Sequence, residues 1–329
     1  MKRMRVFITG ATGFLGGALA RALAREGAEV HALLARSSSD RSGLAGVGVN
    51  WHDGDVTAPS SLRDVTGGAD WIVHAAGRLG EFGVREEIYH RVNAEGTRNV
   101  LSAATKTGCQ TRVLHVSTTG VLGSTPVGPA IEDSPYAPAN PYERSKAAAE
   151  RVALEFASQG LPVVICRPAF VYGPGDRHVL GLFQAVRQGR FFFIDRGRRV
   201  CHPTFIADVV AGMLLCMRHG RSGAIYHIAG PRPVTFRELG ETIAGALGVR
   251  PPRLTLPRWA AMLGATGLEI LGRASGRKPP LSRAGVAFFS EDRCYSWQRA
   301  HDEIGYTPEF DLATGVARTI AWYREQGWL

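Results

Sequence analysis

The sequence lacks the patterns that identify several common classes of protein. Its five cysteines are widely spaced and include no CxxC pair, so neither a zinc site nor a disulfide framework is predicted. No apolar run reaches the roughly 18–20 residues that a membrane-spanning helix needs. A GxxxxGK phosphate loop and a GxSxG nucleophile elbow are also missing. These absences predict a soluble, cytoplasmic protein without a metal site.

Acidic residues are the scarcer charge. The chain holds 29 Asp and Glu against 39 Lys and Arg, which gives a formal net charge of +10. Such a surplus can attract nucleic acid, an anionic membrane or an anionic ligand. The arginines are scattered, however, and no nucleic-acid-binding motif is present, so a nucleic-acid partner is not expected. A phosphate-bearing ligand would account for part of the surplus.

The length of 329 residues exceeds the usual size of one compact domain and suggests either one large α/β unit or one unit with a smaller cap attached. The first half alternates short apolar runs with amphipathic stretches, as strands and helices of a parallel sheet do. The predicted strands are Arg5–Thr9, Glu29–Leu34, Val49–His52, Trp71–Ala75, Arg112–Ser117 and Pro162–Arg167, and the predicted helices are Gly16–Glu26, Arg91–Lys106 and Ser145–Ser158. Loops rich in glycine and proline follow Pro168. Residues 1–175 are therefore assigned mainly to the sheet and 176–329 mainly to a cap, with about 200–230 returning to the sheet.

A glycine-rich turn joins the first predicted strand to the first helix. Gly10 and Gly13 permit a tight turn and let the backbone approach a pyrophosphate, and Gly16 permits close packing of the helix. The start of the helix adds amide groups and a favourable dipole for an anion. A purely structural turn is the alternative, but the position directly after a strand favours dinucleotide binding. The cofactor-binding residues predicted here are Gly10, Thr12, Gly13, Phe14, Leu15 and Gly16.

The end of the second predicted strand indicates which dinucleotide is bound. Dinucleotide-binding folds place there either an acidic residue for the ribose hydroxyls or an arginine for a 2′-phosphate. Here Arg36 and Ser37 follow the strand, and no acidic residue stands at its end. A guanidinium can pair with phosphate through two hydrogen bonds, and a serine hydroxyl can add another. NADP(H) is therefore the preferred cofactor, with NAD(H) as the alternative if Arg36 is merely solvated.

Tyr142 and Lys146 are four residues apart, a spacing that puts both side chains on one face of a helix. A free tyrosine has a pKa of about 10, and a nearby ammonium group lowers that pKa by stabilising the phenolate. Such a pair can take a proton from an alcohol or return one to a carbonyl. Thr118 follows the fifth predicted strand, where ligands of α/β proteins bind, and can hydrogen-bond the substrate oxygen. Each feature alone has an ordinary structural explanation, but together they predict a catalytic site.

The order of these motifs resembles that of the extended short-chain dehydrogenase/reductase family, which consists of NAD(P)-dependent enzymes of the epimerase/dehydratase type. The resemblance covers almost the whole chain. The segments that carry it are Gly10–Gly16, Asp53–Val56, His74–Gly77, Asn93–Thr97, Ser117–Thr118, Tyr142–Lys146, Arg167–Gly175 and Phe205–Val209. It implies an α/β, doubly wound parallel-sheet Rossmann fold with a smaller C-terminal substrate cap. The unit at residues 1–175 would then be mainly the dinucleotide-binding Rossmann domain.

The resemblance also implies roles for individual residues. Asn93 would support the active site, and Lys146 would hold the nicotinamide ribose in addition to tuning Tyr142. Tyr142 and Asn93 are also expected to contact the cofactor. The other residues implied to contact it are Asp55 and Val56 beside the adenine, Ala75, Ala76 and Gly77 along the cofactor, and Pro168, Phe170 and Val171 at the nicotinamide end.

Two features favour a branch of the family that acts on apolar molecules. Nucleotide-sugar members usually carry an arginine just before the strand that leads to Asp208, where it binds diphosphate. This chain has Cys201 there, and a thiol cannot replace a bidentate cation. The segment 256–283 resembles the cap helix of the 3β-hydroxysteroid dehydrogenase-like branch, which includes sterol-4-carboxylate 3-dehydrogenases and β-keto acid reductases. An apolar helix with few charges can line a pocket, rest on a membrane surface as a peripheral contact, or simply pack in the core.

The sequence therefore predicts an NAD(P)-dependent oxidoreductase that interconverts a secondary alcohol and a ketone on a large apolar substrate, either sterol-like or β-keto acid-like. Tyr142 would be the acid/base, Lys146 would tune it, and Thr118 would polarise the substrate oxygen. Further candidates for substrate contact are Thr119, His178 and His202. We expect a homodimer. The alternative functions are a nucleotide-sugar epimerase or dehydratase that retains NAD, and a non-catalytic NADP-sensing protein.

Overall fold

A parallel sheet forms the centre of the protein in a computed structural model that describes residues 3–35, 40–63, 66–106 and 111–329. The strands are β1 (Arg5–Thr9), β2 (Glu29–Leu34), β3 (Val49–Asp53), β4 (Trp71–His74), β5 (Arg112–Val116), β6 (Val163–Pro168), β7 (Phe170–Tyr172), β8 (Phe193–Ile194), β9 (Val200–Cys201), β10 (Pro203–Phe205), β11 (Ile225–Ile228), β12 (Val234–Thr235) and β13 (Thr255–Leu256). Seven of them build the main sheet, and the short ones pair in twos: β10 with β7, β12 with β9, and β13 with β8.

The main sheet has the order β3–β2–β1–β4–β5–β6–β11, and every neighbouring pair is parallel. Thr9 at the end of β1 pairs with Leu33 of β2 and with His74 of β4, so the carboxyl ends of these strands lie side by side. The strand order reverses between β1 and β4, and such a switch point leaves a crevice in which ligands bind. The doubly wound Rossmann fold expected from the sequence is confirmed.

Helices cover both faces of the sheet and build the cap. They are α1 (Phe14–Arg25), α2 (Glu86–Tyr89), α3 (Gly96–Thr105), α4 (Pro141–Ser158), α5 (Leu180–Arg187), α6 (Ile206–His219), α7 (Phe236–Leu247), α8 (Arg258–Ser275), α9 (Arg283–Phe289), α10 (Gln298–Ile304) and α11 (Leu312–Glu325). In α1 the buried residues Gly16, Leu19, Ala20 and Leu23 recur every three or four positions. They form one stripe, which is why this stretch packs on the sheet as a helix.

Each face of the sheet has its own apolar core. Ile8 of β1 shares one buried cluster with Leu23 of α1 and Met213 of α6. The neighbouring Phe7 belongs to the opposite cluster, together with Leu101 of α3. Adjacent side chains of a strand point to opposite faces, and a parallel sheet buries both of them. The near-continuous apolar runs of the first half of the sequence follow from this arrangement.

The helix predicted at Arg91–Lys106 has a different start in the structure. The chain is already helical from Glu86, passes through a π-helical turn at His90–Glu95 and then continues as α3. A π turn adds a residue to the helical repeat and often occurs at functional sites. Here the turn contains Asn93, which is 1% exposed.

A third apolar cluster holds the cap together. Phe183 of α5, Phe236 of α7 and Tyr323 of α11 belong to it, and Phe14 and Leu15 at the start of α1 pack against it. The cap therefore contacts the edge of the sheet at which the glycine turn lies. Residues after 175 are not confined to the cap, because β11 pairs with β6 in the main sheet and α6 covers one face of that sheet.

Candidate active site

The glycine turn after β1 brings backbone segments very close together. Gly10 has a φ of +78°, in the left-handed region that favours glycine. A Cβ atom at Gly10 would lie 2.6–2.7 Å from backbone atoms of Ala75 and Ala76, and one at Gly16 would lie 2.3 Å from the Gly10 oxygen. The amide of Gly13 donates to the Gly10 carbonyl at 2.9 Å and closes the turn. Gly10 and Gly16 thus occupy positions where a side chain has no room.

The first turn of α1 faces the same loop. Its N-cap is Gly13, which offers no capping side chain, and the first turn holds no acidic residue. The leading amide groups of a helix carry partial positive charge and bind phosphate. A Cβ atom at Gly175 would lie 3.7 Å from the Phe14 ring, so the loop after β7 borders the turn as well. A backbone cradle without side chains, beside an uncapped helix start, fits the pyrophosphate of a dinucleotide.

The loop after β4 is held in place by Asn93. The Arg78 amide donates to Asn93 Oδ1 at 2.7 Å, and Asn93 Nδ2 donates to the Arg78 carbonyl at 3.1 Å and to Ser145 Oγ at 2.8 Å. A Cβ atom at Gly77 would lie 3.2 Å from Asn93 Oδ1 and 4.0 Å from Lys146 Nζ. Asn93 therefore ties the loop that contains Gly77 to α4, beside Lys146.

Helix α4 begins four residues earlier than the sequence analysis expected, so that Tyr142 lies in its first turn. Asn140 is the N-cap, and its Oδ1 accepts a hydrogen bond from the Glu143 amide at 2.9 Å. Pro141 follows at the first helical position, where the lack of an N–H is harmless. This Asn-Pro-x-Glu pattern is a helix-start signal that the sequence contains and that our prediction missed. Tyr142 and Lys146 consequently lie one turn apart on the same helix.

Tyr142 is partly buried, and its phenol lies close enough to the Thr118 side chain for that hydroxyl to act on its pKa. Burial raises the pKa of the phenol, the adjacent Glu143 carboxylate raises it further, and only the Thr118 hydroxyl opposes them. The expected lowering of this pKa by a neighbouring ammonium group is therefore wrong for the cofactor-free protein, because burial dominates. Tyr142 keeps its proton at neutral pH.

Lys146 reaches from α4 to the carboxyl end of β5. It is 6% exposed, and its Nζ donates to the Val116 carbonyl at 2.7 Å. Burial lowers the pKa of the ammonium group to about 8, and the carboxylate of Glu150 opposes that shift. A buried cation with a perturbed pKa beside a partly buried phenol is typical of catalytic sites.

Replacing Lys146 with methionine is expected to stabilise the cofactor-free protein at neutral pH. The pKa is lowered from 10.5 to about 8 on folding, so the charged lysine opposes folding. This shift corresponds to about 3 kcal/mol, and loss of the bond to Val116 offsets about 1 kcal/mol. The free-energy cost of burying the charged lysine is complete below pH 8, where the group is protonated in both states. Between pH 8 and 10.5 only the unfolded state holds the proton, so this cost falls and is lost above pH 10.5.

Denaturant titrations of this variant should show a free energy of unfolding higher by about 2 kcal/mol at neutral pH, with no gain in strongly alkaline buffer. Lys106→Met, at an exposed position, is the control and should change stability little at either pH. A Lys146→Met protein that is less stable than the wild type at neutral pH would refute the penalty assigned to the buried charge.

A buried ion pair that the sequence analysis did not predict lies next to Tyr142. Glu143 Oε1 and Arg293 Nη1 are 2.7 Å apart, with the two residues 5% and 8% exposed. Arg293 also lies 3.2 Å from Glu291, while its Nε has no hydrogen-bond partner among the described residues. The partners are 150 positions apart in the sequence, so no local pattern could have revealed them.

Two buried histidines lie near Lys146. His74 Nδ1 is 2.7 Å from Thr9 Oγ1 and its Nε2 is 2.9 Å from Thr97 Oγ1. Burial, with help from the charge of Lys146, lowers the pKa of His74 to about 3 and that of His115 well below its ordinary value. Both rings are therefore neutral. Across the described ranges, no group of three or more His, Cys, Asp or Glu side chains is placed to hold a metal ion.

A cavity of about 470 Å³ lies between the start of α4 and helices α8 and α9. Its apolar lining comes from Ala139, Pro141, Met262, Ala284, Ala287 and Phe288, and its polar lining from Asn140, Glu143, Arg144, Glu269, Arg283 and Arg293. Each of the three arginines is bound by a carboxylate: Arg144 by Glu86, Arg283 by Glu269 and Arg293 by Glu143. The charges of the wall thus neutralise one another to a large extent.

The other residues expected to contact the cofactor lie around the carboxyl edge. Asp55 is exposed in the loop after β3, and Val56 is buried beneath α3, where a Cβ atom at Gly96 would lie 3.0 Å from it. Pro168 ends β6, and Phe170 and Val171 form β7. The Phe170 ring is 5.2 Å from that of Phe288, which lines the cavity. Arg36 and Ser37 lie outside the described residues.

The three candidates for substrate contact differ in their surroundings. Thr119 is buried close to the Tyr295 side chain. His202 is buried, with Nε2 2.8 Å from the Gly230 carbonyl and Nδ1 accepting from the Tyr295 amide at 3.2 Å. Both ring nitrogens of His202 are engaged in packing the fold, so we leave it out of the substrate site. His178 is half exposed beside Asp176, and its contact with a substrate stays a prediction.

Known proteins with the same arrangement were found by sequence and by structure. Residues 6–229 match the NAD dependent epimerase/dehydratase family. The 4-hydroxy-2-methyl-3-oxo-4-farnesyl-3,4-dihydroquinoline-1-oxide ketoreductase of Stigmatella aurantiaca is 32% identical over 92% of each chain. Sterol demethylase protein B of Methylococcus capsulatus is 31% identical over 98% of this chain and 99% of its own. A crystal structure of dTDP-glucose 4,6-dehydratase from Streptomyces venezuelae with NAD bound has a TM-score of 0.79 at 29% identity, covering 99% and 98% of the two chains.

The chain belongs to the NAD dependent epimerase/dehydratase family, as the order of its motifs predicted. It is therefore an NAD-dependent enzyme of the epimerase, dehydratase or reductase type.

Proposed function

We propose that the protein reduces a ketone, or oxidises the corresponding secondary alcohol, on a large apolar substrate. The observation that carries this proposal is the position of the Tyr142 phenol, which lies beside the Thr118 side chain and one helical turn from the buried Lys146. These groups converge at the carboxyl edge of the sheet, where the loops after β4 and β5 meet α4. A protonated phenol, a hydroxyl group and a cation are the parts that proton transfer to a carbonyl oxygen requires.

The chain's own residues would carry out the proton transfer. When bound, the nicotinamide cofactor supplies or accepts the hydride. Gly10, Gly13 and Gly16 would hold its pyrophosphate. In reduction, Tyr142 donates its proton to the substrate oxygen, Thr118 hydrogen-bonds the same oxygen, and the Lys146 ammonium stabilises the phenolate left behind. The raised pKa of Tyr142 means that the free protein already carries the proton that reduction needs.

An apolar substrate is favoured over a nucleotide sugar by the surroundings of Cys201. This residue stands where nucleotide-sugar members of the family usually have an arginine, and it is 1% exposed and paired in β9 with Val234. Arg199, two positions earlier in the sequence, is ion-paired with Asp292 at 2.7 Å. Neither Cys201 nor Arg199 therefore offers an unpaired cation that could bind a diphosphate.

The relatives and the cavity support the same choice. One relative's name gives a farnesyl-bearing compound and a ketoreductase activity, and the other's gives a sterol. The cavity beside α4 offers Met262 and Phe288 to such a substrate, and its arginines are already paired. Because the dTDP-glucose dehydratase structure is similar to this chain, a nucleotide-sugar epimerase or dehydratase is the second candidate function.

The test is a substrate panel with the purified protein and both NADPH and NADH. The panel contains long-chain β-keto acids, 3-keto sterols, and UDP- and dTDP-glucose. We expect oxidation of the reduced cofactor in proportion to product with at least one apolar ketone, and none with the sugar nucleotides. Conversion of a sugar nucleotide without net change in the cofactor would establish an epimerase or dehydratase instead. Cofactor binding without turnover of any apolar ketone would also contradict the proposal.

We infer further that NADP(H) is preferred over NAD(H), because Arg36 follows β2 and no acidic residue stands in its place. Replacing Arg36 with alanine should lower kcat/KM for NADPH by about tenfold or more and leave that for NADH nearly unchanged, since only NADPH carries a 2′-phosphate. Arg41→Ala is the matched control, because the Arg41 guanidinium lies over the Trp51 ring at 5.4 Å. Equal losses with both cofactors would refute a phosphate contact by Arg36.

A further inference from the structure

The outer face of α8 is apolar between Trp259 and Leu271. Its solvent-exposed side chains, each more than 60% exposed, are Trp259, Leu263, Ile270 and Leu271. The side that packs against the protein consists of Ala261, Ala265, Glu269 and Gly272. Glu269 is the single charged residue between Trp259 and Leu271, and it is buried, so no charge interrupts the exposed face.

Exposed large apolar side chains are concentrated on α8 and just before it. Among the described residues, nine large apolar side chains are exposed, and five of these lie between Leu254 and Leu271. Scattered apolar residues on a surface need no explanation, but a contiguous patch marks a binding face.

Positive charges stand at both ends of this face. The cations before or at the start of α8 are Arg250, Arg253 and Arg258, and those at or after its end are Arg273, Arg277 and Lys278. Arg258 lies 3.8 Å from the carboxylate of Glu291, which offsets part of its charge. Glu269 is the only acidic residue between Arg250 and Lys278, and its carboxylate is bound by Arg283 at 3.0 Å. The three cations at the end of the helix line a recess of about 420 Å³ together with Glu81 and Phe82.

The inner side of α8 belongs to the cavity at the start of α4, the helix that carries Tyr142 and Lys146. Met262 and Glu269 line that cavity, opposite the start of α4. The exposed face and the cavity are therefore separated by the width of one helix, about 10 Å.

We propose that this face of α8 docks the protein on the surface of a membrane that contains anionic lipids. The helix lies in the plane of the membrane, with its apolar side chains at the boundary of head groups and acyl chains and with the cations at its two ends on the lipid phosphates. This is contact with a surface and not insertion: no helix in the described part of the chain has the length and apolar character to cross a bilayer. The proposal does not depend on which ketone the site reduces.

A second copy of the chain is the other occupant to consider, and the charges argue against it. In a two-fold contact along α8, the cations at the ends of one helix would face those of the other, whether the helices ran parallel or antiparallel. Like charges across an interface oppose association. An anionic lipid surface instead neutralises both ends at once.

The test measures binding of the full chain to vesicles by co-sedimentation. Vesicles of phosphatidylcholine alone are compared with vesicles of equal parts phosphatidylcholine and phosphatidylglycerol, at low and high salt. We expect the wild type to bind the anionic vesicles at least about tenfold more strongly than the neutral ones, and high salt to weaken that binding. The double variant Leu263→Glu/Ile270→Glu should lose at least about tenfold in affinity, since it puts charge into the apolar face.

The matched control is Val127→Glu/Ile131→Glu, which adds the same charge at two exposed apolar positions away from α8. Circular dichroism and the melting temperature establish that both double variants are folded. Equal losses in the two double variants, or no binding of the wild type to anionic vesicles, would overturn the proposal. A dimer in light scattering that Leu263→Glu/Ile270→Glu dissociates, without vesicle binding by the wild type, would assign the face to a second copy.

Discussion

Replacing Tyr142 with phenylalanine is expected to lower kcat/KM for ketone reduction by roughly a thousandfold, a loss typical of removing a general acid. The change deletes the phenolic hydroxyl, which lies beside the Thr118 side chain, but keeps the ring. Cofactor affinity should change by no more than about threefold, because the glycine turn and Lys146 are untouched. Steady-state kinetics and a fluorescence titration with NADPH measure the two effects separately.

Tyr89→Phe is the matched control for this experiment. The centres of the Tyr89 and Tyr142 rings are 6.4 Å apart, so this variant also removes a phenolic hydroxyl close to the site. Its hydroxyl accepts from the Glu81 amide at 2.7 Å and donates to the Glu81 carbonyl at 3.0 Å. We expect its loss to reduce stability by about 1 kcal/mol and to leave kcat/KM near the wild-type value. Full activity in Tyr142→Phe would show that another group delivers the proton.

Replacing Gly10 with alanine is expected to have the largest effect on cofactor binding. The new Cβ would lie 2.6–2.7 Å from backbone atoms of Ala75 and Ala76, and the φ of +78° is unfavourable for alanine. Because the clashing atoms are backbone, the turn after β1 and the loop after β4 must move apart. We expect a loss of more than about 3 kcal/mol in stability and at least about a hundredfold in NADPH affinity, measured by thermal melts and isothermal titration.

Gly27→Ala separates crowding from backbone strain. Gly27 has a φ of +82°, close to that of Gly10, but a Cβ atom there would meet nothing within 4 Å. This variant should therefore lose only the strain energy of about 1–2 kcal/mol and bind NADPH normally. Similar behaviour of the two variants would contradict the idea that close backbone approach shapes the pyrophosphate site.

Six of the seven strands of the main sheet were predicted, most of them because they are short apolar runs with a clear end. The strand β11 was not predicted, although residues 200–230 were expected to return to the sheet. The predicted bounds of the first two strands, Arg5–Thr9 and Glu29–Leu34, match the structure. Strands that are buried on both faces give continuous apolar runs, and glycine turns or polar residues end them. The identity of the fold followed, since alternating strands and helices leave few arrangements other than a parallel sheet.

The details of the site were less accessible. The early start of α4 was signalled by Asn140 and Pro141 and could have been recognised, whereas the π turn that contains Asn93 has no known sequence pattern. The pairing of Glu143 with Arg293 depends on tertiary contacts between distant segments. Helix α8 left three interpretations open from the sequence. In the structure, the inner side of α8 lines the cavity and its outer side faces solvent. The sequence could not distinguish these two sides, because both are largely apolar.

The place of β11 in the sheet has a consequence for protein engineering. This strand comes from residues 225–228, yet it lies beside β6 and closes one edge of the sheet. A chimera that joins the first 175 residues to the remainder of a relative would therefore also import that edge strand and helix α6. To transfer substrate specificity, the cap segments before and after α6 and β11 must be exchanged while these two elements are kept. The sheet and the cap do not correspond to two consecutive halves of the sequence.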